Sequence, residues 1–173
     1  PRWLLGTFFR TLVQHGMPHF ENNYAHRGAA ILSKNVTRDF SERGRNDWQR
    51  LRAIRAMWPG RLVVKGILHP EDARLACLHG ADGIIVSNHG GRQLDGALSS
   101  IAALPAIVDA VGREIEVHMD SGIRSGQDVI KALALGAKGV YIGRAFLYGL
   151  GAMGEEGVTK TLDIIERELD LTM

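Results

Sequence analysis

One short segment of the sequence places an arginine three residues after a histidine. It reads SNHGGRQLD, from Ser87 to Asp95. A histidine accepts a proton near neutral pH, and an arginine holds a carboxylate through two parallel hydrogen bonds. His89 and Arg92 would therefore supply the base and the carboxylate clamp that oxidation of a 2-hydroxy acid requires. The two residues alone leave one alternative open, a structural histidine near an unrelated surface arginine.

Further polar groups stand at the ends of short apolar runs. Lys65 lies on the first run, Ser87 follows the second, Asp120 ends the third, and Gly143 and Arg144 follow the fourth. A barrel of parallel strands collects its active site at the carboxyl ends of those strands. This repeated placement is hard to explain by packing, and it predicts a site at one edge of the sheet.

Two of these strand ends carry the features of a phosphate site. The third run continues as Asp120, Ser121, Gly122, Ile123 and Arg124, whose glycine permits close backbone approach and whose arginine can bind phosphate oxygens. The fourth continues as Gly143 and Arg144 directly into a helical pattern, where backbone N–H groups favour an anion. A tight turn would explain either segment alone, whereas the pair together predicts a phosphate-binding region.

The elements that must position these groups are indicated by an internal repeat with an offset of 56 residues. In each copy a helical stretch ends at a glycine, Gly80 or Gly136, and a buried apolar run follows at once. We predict strands at Leu62 to Ile67, Gly83 to Ser87, Ile115 to Asp120 and Gly139 to Gly143. We predict helices at Asp47 to Met57, Pro70 to His79, Ser99 to Val111, Ser125 to Leu135, Ala145 to Gly151 and Val158 to Leu171.

The alternation of strands and helices predicts an α/β fold with a parallel sheet. Four βα units fit half of a (βα)8 barrel or part of an open doubly wound sheet. The polar groups gathered at the strand ends favour the half-barrel.

Composition narrows the class of protein further. The 173 residues hold one cysteine, Cys77, which excludes a disulfide framework, and no metal site is expected. No apolar run reaches the length of a membrane span and no leader is recognisable, so we expect a cytoplasmic protein. Residues 1–61 hold eleven Lys and Arg against four Asp and Glu. No nucleic-acid motif accompanies this basic region, and we expect no nucleic-acid partner.

Four motifs, in this order and spacing, carry a resemblance to a known family: VVKGI, SNHGGRQLDG, DSGIRSGQDVIKALALGA and GRAFLYG. The chain from about Trp48 onward resembles the C-terminal half of the FMN-dependent 2-hydroxy-acid dehydrogenase/oxidase family. Glycolate oxidase and the lactate and mandelate dehydrogenases belong to that family. The resemblance implies FMN as cofactor and a small (S)-2-hydroxy acid of the lactate, glycolate or mandelate type as substrate.

The resemblance also implies a role for each matching residue. His89 resembles the active-site base and Arg92 the substrate-carboxylate clamp. Lys65 resembles the lysine beside the N1/O2 edge of the flavin, and Ser87 resembles a flavin-contacting side chain. The remaining residues resemble the grip on the ribityl chain and phosphate: Asp120, Ser121, Gly122, Ile123, Arg124, Gly143 and Arg144. His118 stands where the family more often has an apolar residue, and it receives no role.

The same resemblance assigns residues 1–46 to a long basic connection after the family's fourth strand, and residues 47–173 to the C-terminal half of the barrel. Because the family's N-terminal half supplies the remaining flavin and substrate contacts, the alternative function is a truncated half-barrel. Such a half-barrel would at most bind flavin or phosphate. We expect the chain to be part of a longer protein and to be inactive alone.

The partners of the whole protein remain expectations. Oxygen or a membrane quinone would reoxidise the flavin, and the family resemblance suggests a homo-oligomer. Trp3, Leu4, Leu5, Phe8, Phe9, Leu12 and Val13 form an apolar helical face beside Arg2 and Arg10. This face either contacts the inner surface of the membrane peripherally or packs on the barrel.

Overall fold

The computed structural model of the chain describes residues 2–20, 27–34 and 46–173, with side chains from residue 5 onward. The chain divides into two compact units, Pro1–Arg45 and Asn46–Met173. The first unit contains helix α1 (Arg2–His15) and an antiparallel bridge between His19 and Ala30. The other parts of the predicted connecting segment, residues 21–26 and 35–45, lie outside the described residues.

The second unit alternates strands and helices. Its strands are β1 (Val63–Ile67), β2 (Gly83–Val86), β3 (Glu116–Met119) and β4 (Gly139–Val140). Its helices are α2 (Trp48–Met57), α3 (Pro70–Leu78), α4 (Ser100–Val111), α5 (Gly126–Ala134), α6 (Arg144–Met153) and α7 (Glu155–Thr172). The predicted elements are all present, with bounds that differ by at most three residues. Helix α7 begins earlier than predicted because Glu155 and Glu156 occupy its first turn, where negative charge complements the helix dipole.

The four strands form one parallel sheet in the order β1-β2-β3-β4. Val64 pairs with Ile84, Ile84 with Val117, and Met119 with Val140. This arrangement confirms the predicted α/β fold of successive βα units. In the part of the chain that the structure describes, β1 and β4 are the two edges of the sheet.

The two faces of the sheet differ in polarity. On one face Ile84, Val86, Val117 and Met119 are at most 1% exposed and pack into the core, together with the helix residues Ala73, Ala76, Leu104, Ile107 and Val111. Full burial of each Ile, Leu, Val or Met side chain in this core stabilises the fold by about 1.5–3 kcal/mol. Because successive residues of a strand point to opposite faces, Glu116 and His118 lie on the other face, away from the core.

The predicted helix ends at Gly80 and Gly136 share one geometry. Gly80 has φ +85° and Gly136 has φ +100°, the left-handed region that glycine adopts without a Cβ clash. In both copies the N–H of the following alanine donates back to the carbonyl five residues earlier, Ala81 to Ala76 and Ala137 to Ala132. This is the hydrogen bond of a Schellman cap, and it turns each helix directly into the next buried strand.

Arg55 joins three chain segments at the amino-terminal edge of the sheet. Its guanidinium donates to the carbonyls of Trp58, Gly60 and Gly80 and forms an ion pair with Asp82 at 2.8 Å. The Asp82 carboxylate also accepts the backbone N–H of Leu62 at 2.7 Å. That backbone hydrogen bond, followed by the one from Arg55, lowers the pKa of Asp82 below its ordinary value. The ends of α2 and α3 are therefore tied to the start of β1 and β2.

We expect Asp82→Asn to lower the free energy of unfolding at neutral pH, because a neutral amide cannot form an ion pair with the Arg55 guanidinium. Since the pKa of Asp82 is lower in the folded state, the carboxylate stabilises the fold above its unfolded pKa of about 3.9. This contribution is lost as the pH falls through the lower, folded pKa. Urea unfolding measured from neutral pH down to about pH 2.5 should show the difference between wild type and variant shrinking in acid.

Asp109→Asn, which changes an exposed carboxylate on α4, is the matched control. A difference between wild type and Asp82→Asn that stays constant across this pH range would contradict the proposed clamp.

Candidate active site

A cleft opens at the carboxyl ends of the strands. Ten of the eleven residues that the sequence predicts for the site line it: Lys65, His89, Arg92, Asp120, Ser121, Gly122, Ile123, Arg124, Gly143 and Arg144. The eleventh, Ser87, is 2% exposed and donates or accepts hydrogen bonds beneath the cleft. The structure therefore brings together residues that span eighty positions of the sequence.

An ion pair between Lys65 and Asp120 crosses the floor of the cleft. The Lys65 Nζ lies 2.8 Å from Asp120 Oδ2 and also donates to Ser87 Oγ at 2.8 Å. The lysine side chain is 45% exposed, whereas the Asp120 side chain is 17% exposed. The cation is thus anchored at one side and remains accessible to a bound anion or electron-rich ring edge from the cleft.

The Asp120 carboxyl group is held in its charged form. Burial raises its pKa, but hydrogen bonds from Lys65 and from serine hydroxyls outweigh burial, and the net pKa is lowered. The Ser121 hydroxyl, which donates to Asp120 Oδ1 at 2.7 Å, is one of these partners. An ionised Asp120 is what keeps Lys65 fixed at this position.

The loop that carries His89 is built from consecutive left-handed residues. His89, Gly90 and Gly91 have φ values of +58°, +68° and +72° and form a tight left-handed turn. The Asn88 side chain closes the turn by accepting the Gly91 N–H at 3.2 Å, and Ser100 Oγ accepts the Asn88 N–H. This tight turn directs both His89 and the exposed Arg92 to the same cleft.

Two serine hydroxyls hold the backbone of this loop from below. Ser87 Oγ accepts the His89 N–H at 3.1 Å, and Ser121 Oγ accepts the Gly90 N–H at 2.9 Å. The two hydroxyl oxygens lie 3.5 Å apart. Because both serines also contact the ion pair, the His89 loop and the Lys65–Asp120 pair form one connected network.

Helices α5 and α6 both begin at the far end of the cleft, and they differ in whether side chains already bind their first N–H groups. The first turn of α5 is already satisfied, since Ser125 Oγ accepts the Asp128 N–H and Glu168 on α7 accepts the Gly126 N–H. Helix α6 begins at Arg144 after Gly143, and among the described residues no side chain forms a capping hydrogen bond there. Gly143, Arg144 and Ala145 at its start line the cleft together with exposed Arg124, so an anion in the cleft would bind at the start of α6 rather than of α5.

Arg144 reaches across the cleft to the His89 loop. Its Nη2 donates to the Gly90 carbonyl at 2.7 Å. Gly90 leaves room for this contact, because a Cβ at that position would lie 2.5 Å from Arg144 Nη2. The loop with the candidate base and the start of α6 are therefore joined directly.

The sequence did not identify Tyr141 as a site residue, although its side chain lines the cleft. Its ring stacks on that of His118 with centroids 5.7 Å apart, and His118 Nε2 lies 3.2 Å from Glu116 Oε2. His118 thus belongs to the polar face of the sheet. The signal available in the sequence was strand alternation, since Tyr141 stands between Val140 and Ile142, which both pack on the core.

The family model described as FMN-dependent dehydrogenase matches residues 1–173 of the chain. The chain is 60% identical over 126 residues to an L-lactate dehydrogenase of Caulobacter vibrioides (strain NA1000 / CB15N), covering 73% of this chain and 33% of that protein. The L-lactate dehydrogenase of Azorhizobium caulinodans gives the same identity and coverage. The chain spans about one third of the length of these relatives.

The chain is also similar to solved structures of mandelate dehydrogenases and mandelate oxidases. The chain is 50% identical to an oxidised active mutant of (S)-mandelate dehydrogenase, with a TM-score of 0.70 over 73% of this chain and 35% of that one. A mandelate oxidase with benzoyl-formic acid is 50% identical, with a TM-score of 0.71 over 73% and 38%. A soluble mutant of the membrane-associated (S)-mandelate dehydrogenase from Pseudomonas putida is 50% identical, with a TM-score of 0.70 over 73% and 36%. These neighbours are TIM-barrel enzymes, and the four βα units match part of such a barrel.

Proposed function

Because this chain belongs to the FMN-dependent dehydrogenase family, we propose that it is part of an enzyme that oxidises a small (S)-2-hydroxy acid to the 2-oxo acid. The observation that carries the proposal is the meeting of His89 and Arg92 on one tight loop, beside the Lys65–Asp120 ion pair. Base, carboxylate clamp and fixed cation are the three groups that this oxidation needs.

The residues of the cleft fit FMN. A lysine with an accessible Nζ suits the electron-rich edge of a flavin, and the uncapped start of α6 with Arg124 and Arg144 suits a phosphate. A Cβ added at Gly122 or Gly143 would meet nothing within 4 Å, so both backbones border open space. FMN would supply the two-electron acceptor of the reaction.

His89 and Arg92 divide the work on the substrate. Arg92 binds the carboxylate of the hydroxy acid and fixes its orientation, while the His89 imidazole removes a proton from the substrate. Formation of the 2-oxo acid removes two electrons and two protons from the substrate: one proton stays on His89, and the electrons with the other proton would be taken up by FMN. Lys65 would stabilise negative charge on the edge of the reduced flavin beside it.

Support for the substrate class comes from the relatives, which are named for L-lactate and mandelate. Oxygen or a membrane quinone as second acceptor, and a homo-oligomer, complete the proposal for the whole protein. We further propose that residues 1–46 form the basic connection after the family's fourth strand. The chain alone is expected to be inactive, since it spans one third of its relatives and its sheet has two edges among the described residues.

The reaction is tested in a chimera whose 126 matching residues from this chain replace their counterparts in the Caulobacter vibrioides relative. We expect visible flavin absorption that bleaches on anaerobic addition of L-lactate, glycolate or L-mandelate. The chain alone, mixed with FMN, serves as the comparison and should show no reduction. A flavin that none of these acids reduces would contradict the proposed activity and favour the incompetent half-barrel.

In the same chimera, Arg92→Lys should raise the apparent KM for the hydroxy acid by about tenfold to a hundredfold, because lysine cannot form two parallel hydrogen bonds with a carboxylate. Steady-state kinetics with the acid that reduces the flavin measure this change. Arg113→Lys, at an exposed arginine outside the cleft, is the control. Unchanged KM in Arg92→Lys would exclude the clamp.

We also propose that α1 contacts an anionic membrane surface at the cytoplasmic side. Leu5, Phe9 and Val13 recur every four residues, and their exposed fractions are 57%, 60% and 85%. This spacing places them on one helix face, and Arg10 adds positive charge nearby. The side chains of Arg2, Trp3 and Leu4, which the sequence predicts for the same face, lie outside the described residues. Among the described residues, no helix combines the length and apolar content of a membrane span.

Sedimentation with phosphatidylglycerol vesicles at low salt tests this contact. We expect the chain to sediment with the vesicles, and the double substitution Phe9→Ser and Val13→Ser to abolish binding, because it removes the apolar stripe. Leu162→Ser, at an exposed position on α7, is the matched control and should bind like wild type. No sedimentation of the wild-type chain would favour packing of the helix on protein instead.

A further inference from the structure

The backbone of Ser121 adopts a conformation that its residue type disfavours. Its φ is +73°, and among the described residues only His89 shares a positive φ without being glycine. A side chain in the left-handed region costs conformational free energy, so such residues persist where the surrounding contacts hold them. Gly122 follows with φ +97°, which shows that the turn itself requires left-handed residues. A glycine at position 121 would fit this backbone without strain.

The hydroxyl group of Ser121 makes contacts that a glycine would lack. Its Oγ donates to Asp120 Oδ1 at 2.7 Å and accepts the Gly90 N–H at 2.9 Å. One bond is directed to the ion pair and the other to the residue directly after His89. Because the carboxylate can only accept, the hydroxyl hydrogen points to Asp120, and an oxygen lone pair remains for Gly90.

The second support of the loop is the Ser87 hydroxyl. Ser87 Oγ accepts from Lys65 Nζ at 2.8 Å and accepts the His89 N–H at 3.1 Å. Two consecutive backbone N–H groups of the loop are therefore accepted by two serine hydroxyls, and both hydroxyls contact the Lys65–Asp120 ion pair. Ser87 is fully buried, whereas Ser121 is only partly buried and can be changed without opening the core.

We propose that Ser121 is a positioning residue, whose hydroxyl fixes the His89 loop to the Lys65–Asp120 ion pair. The proposal rests on the proposed function only in taking His89 as the base; the connection itself is a property of the chain. It predicts that removing the hydroxyl displaces His89 while the fold stays intact. If Ser121 served only to form the turn, Ser121→Gly would raise the stability of the fold and leave the rate of flavin reduction unchanged.

The connection is tested first in the chain without cofactor, through the hydrogen exchange of the Gly90 amide measured by NMR. Ser121→Gly and Ser121→Ala should each accelerate this exchange by about fivefold or more, the factor for one lost hydrogen bond. Ser121→Gly should unfold at the same or a higher urea concentration than wild type, since it relieves the positive φ. Ser99→Ala, at a helix N-cap whose side chain makes no capping hydrogen bond, is the control.

The effect on the reaction is tested in the FMN-loaded chimera described above. We expect both Ser121 variants, measured at saturating substrate and with FMN fully bound, to slow flavin reduction by about tenfold to a hundredfold. Gly90 exchange and reduction rates that match wild type would overturn the proposal. If wild type itself reduces no flavin, the proposed function fails, while the Gly90 exchange still decides the role of Ser121.

Discussion

The ion pair between Lys65 and Asp120 is the interaction on which the rest of the site depends. Neighbouring strands lie about 4.8 Å apart, so a contact from β1 to the end of β3 must cross the whole width of β2. The long lysine side chain makes this crossing, and β2 presents Ser87, whose small hydroxyl accepts from Lys65 on the way. A bulky residue at position 87 would close this path. The pair thus couples three strands of the sheet through one charge.

Strain in the backbone is concentrated at the site rather than in the scaffold. The two described residues other than glycine that have positive φ, His89 and Ser121, both line the cleft. The core beneath them consists of aliphatic side chains on regular strands and helices. A well-packed core stabilises the fold enough to hold a few site residues in unfavourable backbone conformations. It also leaves the polar face of the sheet available for chemistry.

The sequence predicted the strands, the helices and the clustering of site residues, since these follow from periodicity and from where strands end. It did not predict the contacts that join distant segments. Glu168 on α7, for example, accepts the Gly126 N–H and completes the satisfied start of α5. The stacking of Tyr141 on His118 and the contacts of Arg55 likewise join separate segments of the chain. These contacts depend on side-chain geometry across separate elements, which local patterns do not encode. The roles of His89, Arg92 and the flavin-binding residues remain proposals from the resemblance and the geometry.

The 56-residue repeat has a consequence for how Asp120 is held. Within it, Lys65 and Ser121 occupy equivalent positions, and the glycines that follow them, Gly66 and Gly122, have nearly equal φ values of +99° and +97°. Both side chains contact the same carboxylate, one as a cation and one as a hydroxyl. Equivalent positions of the two copies of the repeat therefore hold one carboxylate from two sides, by charge at the first and by a hydroxyl hydrogen bond at the second.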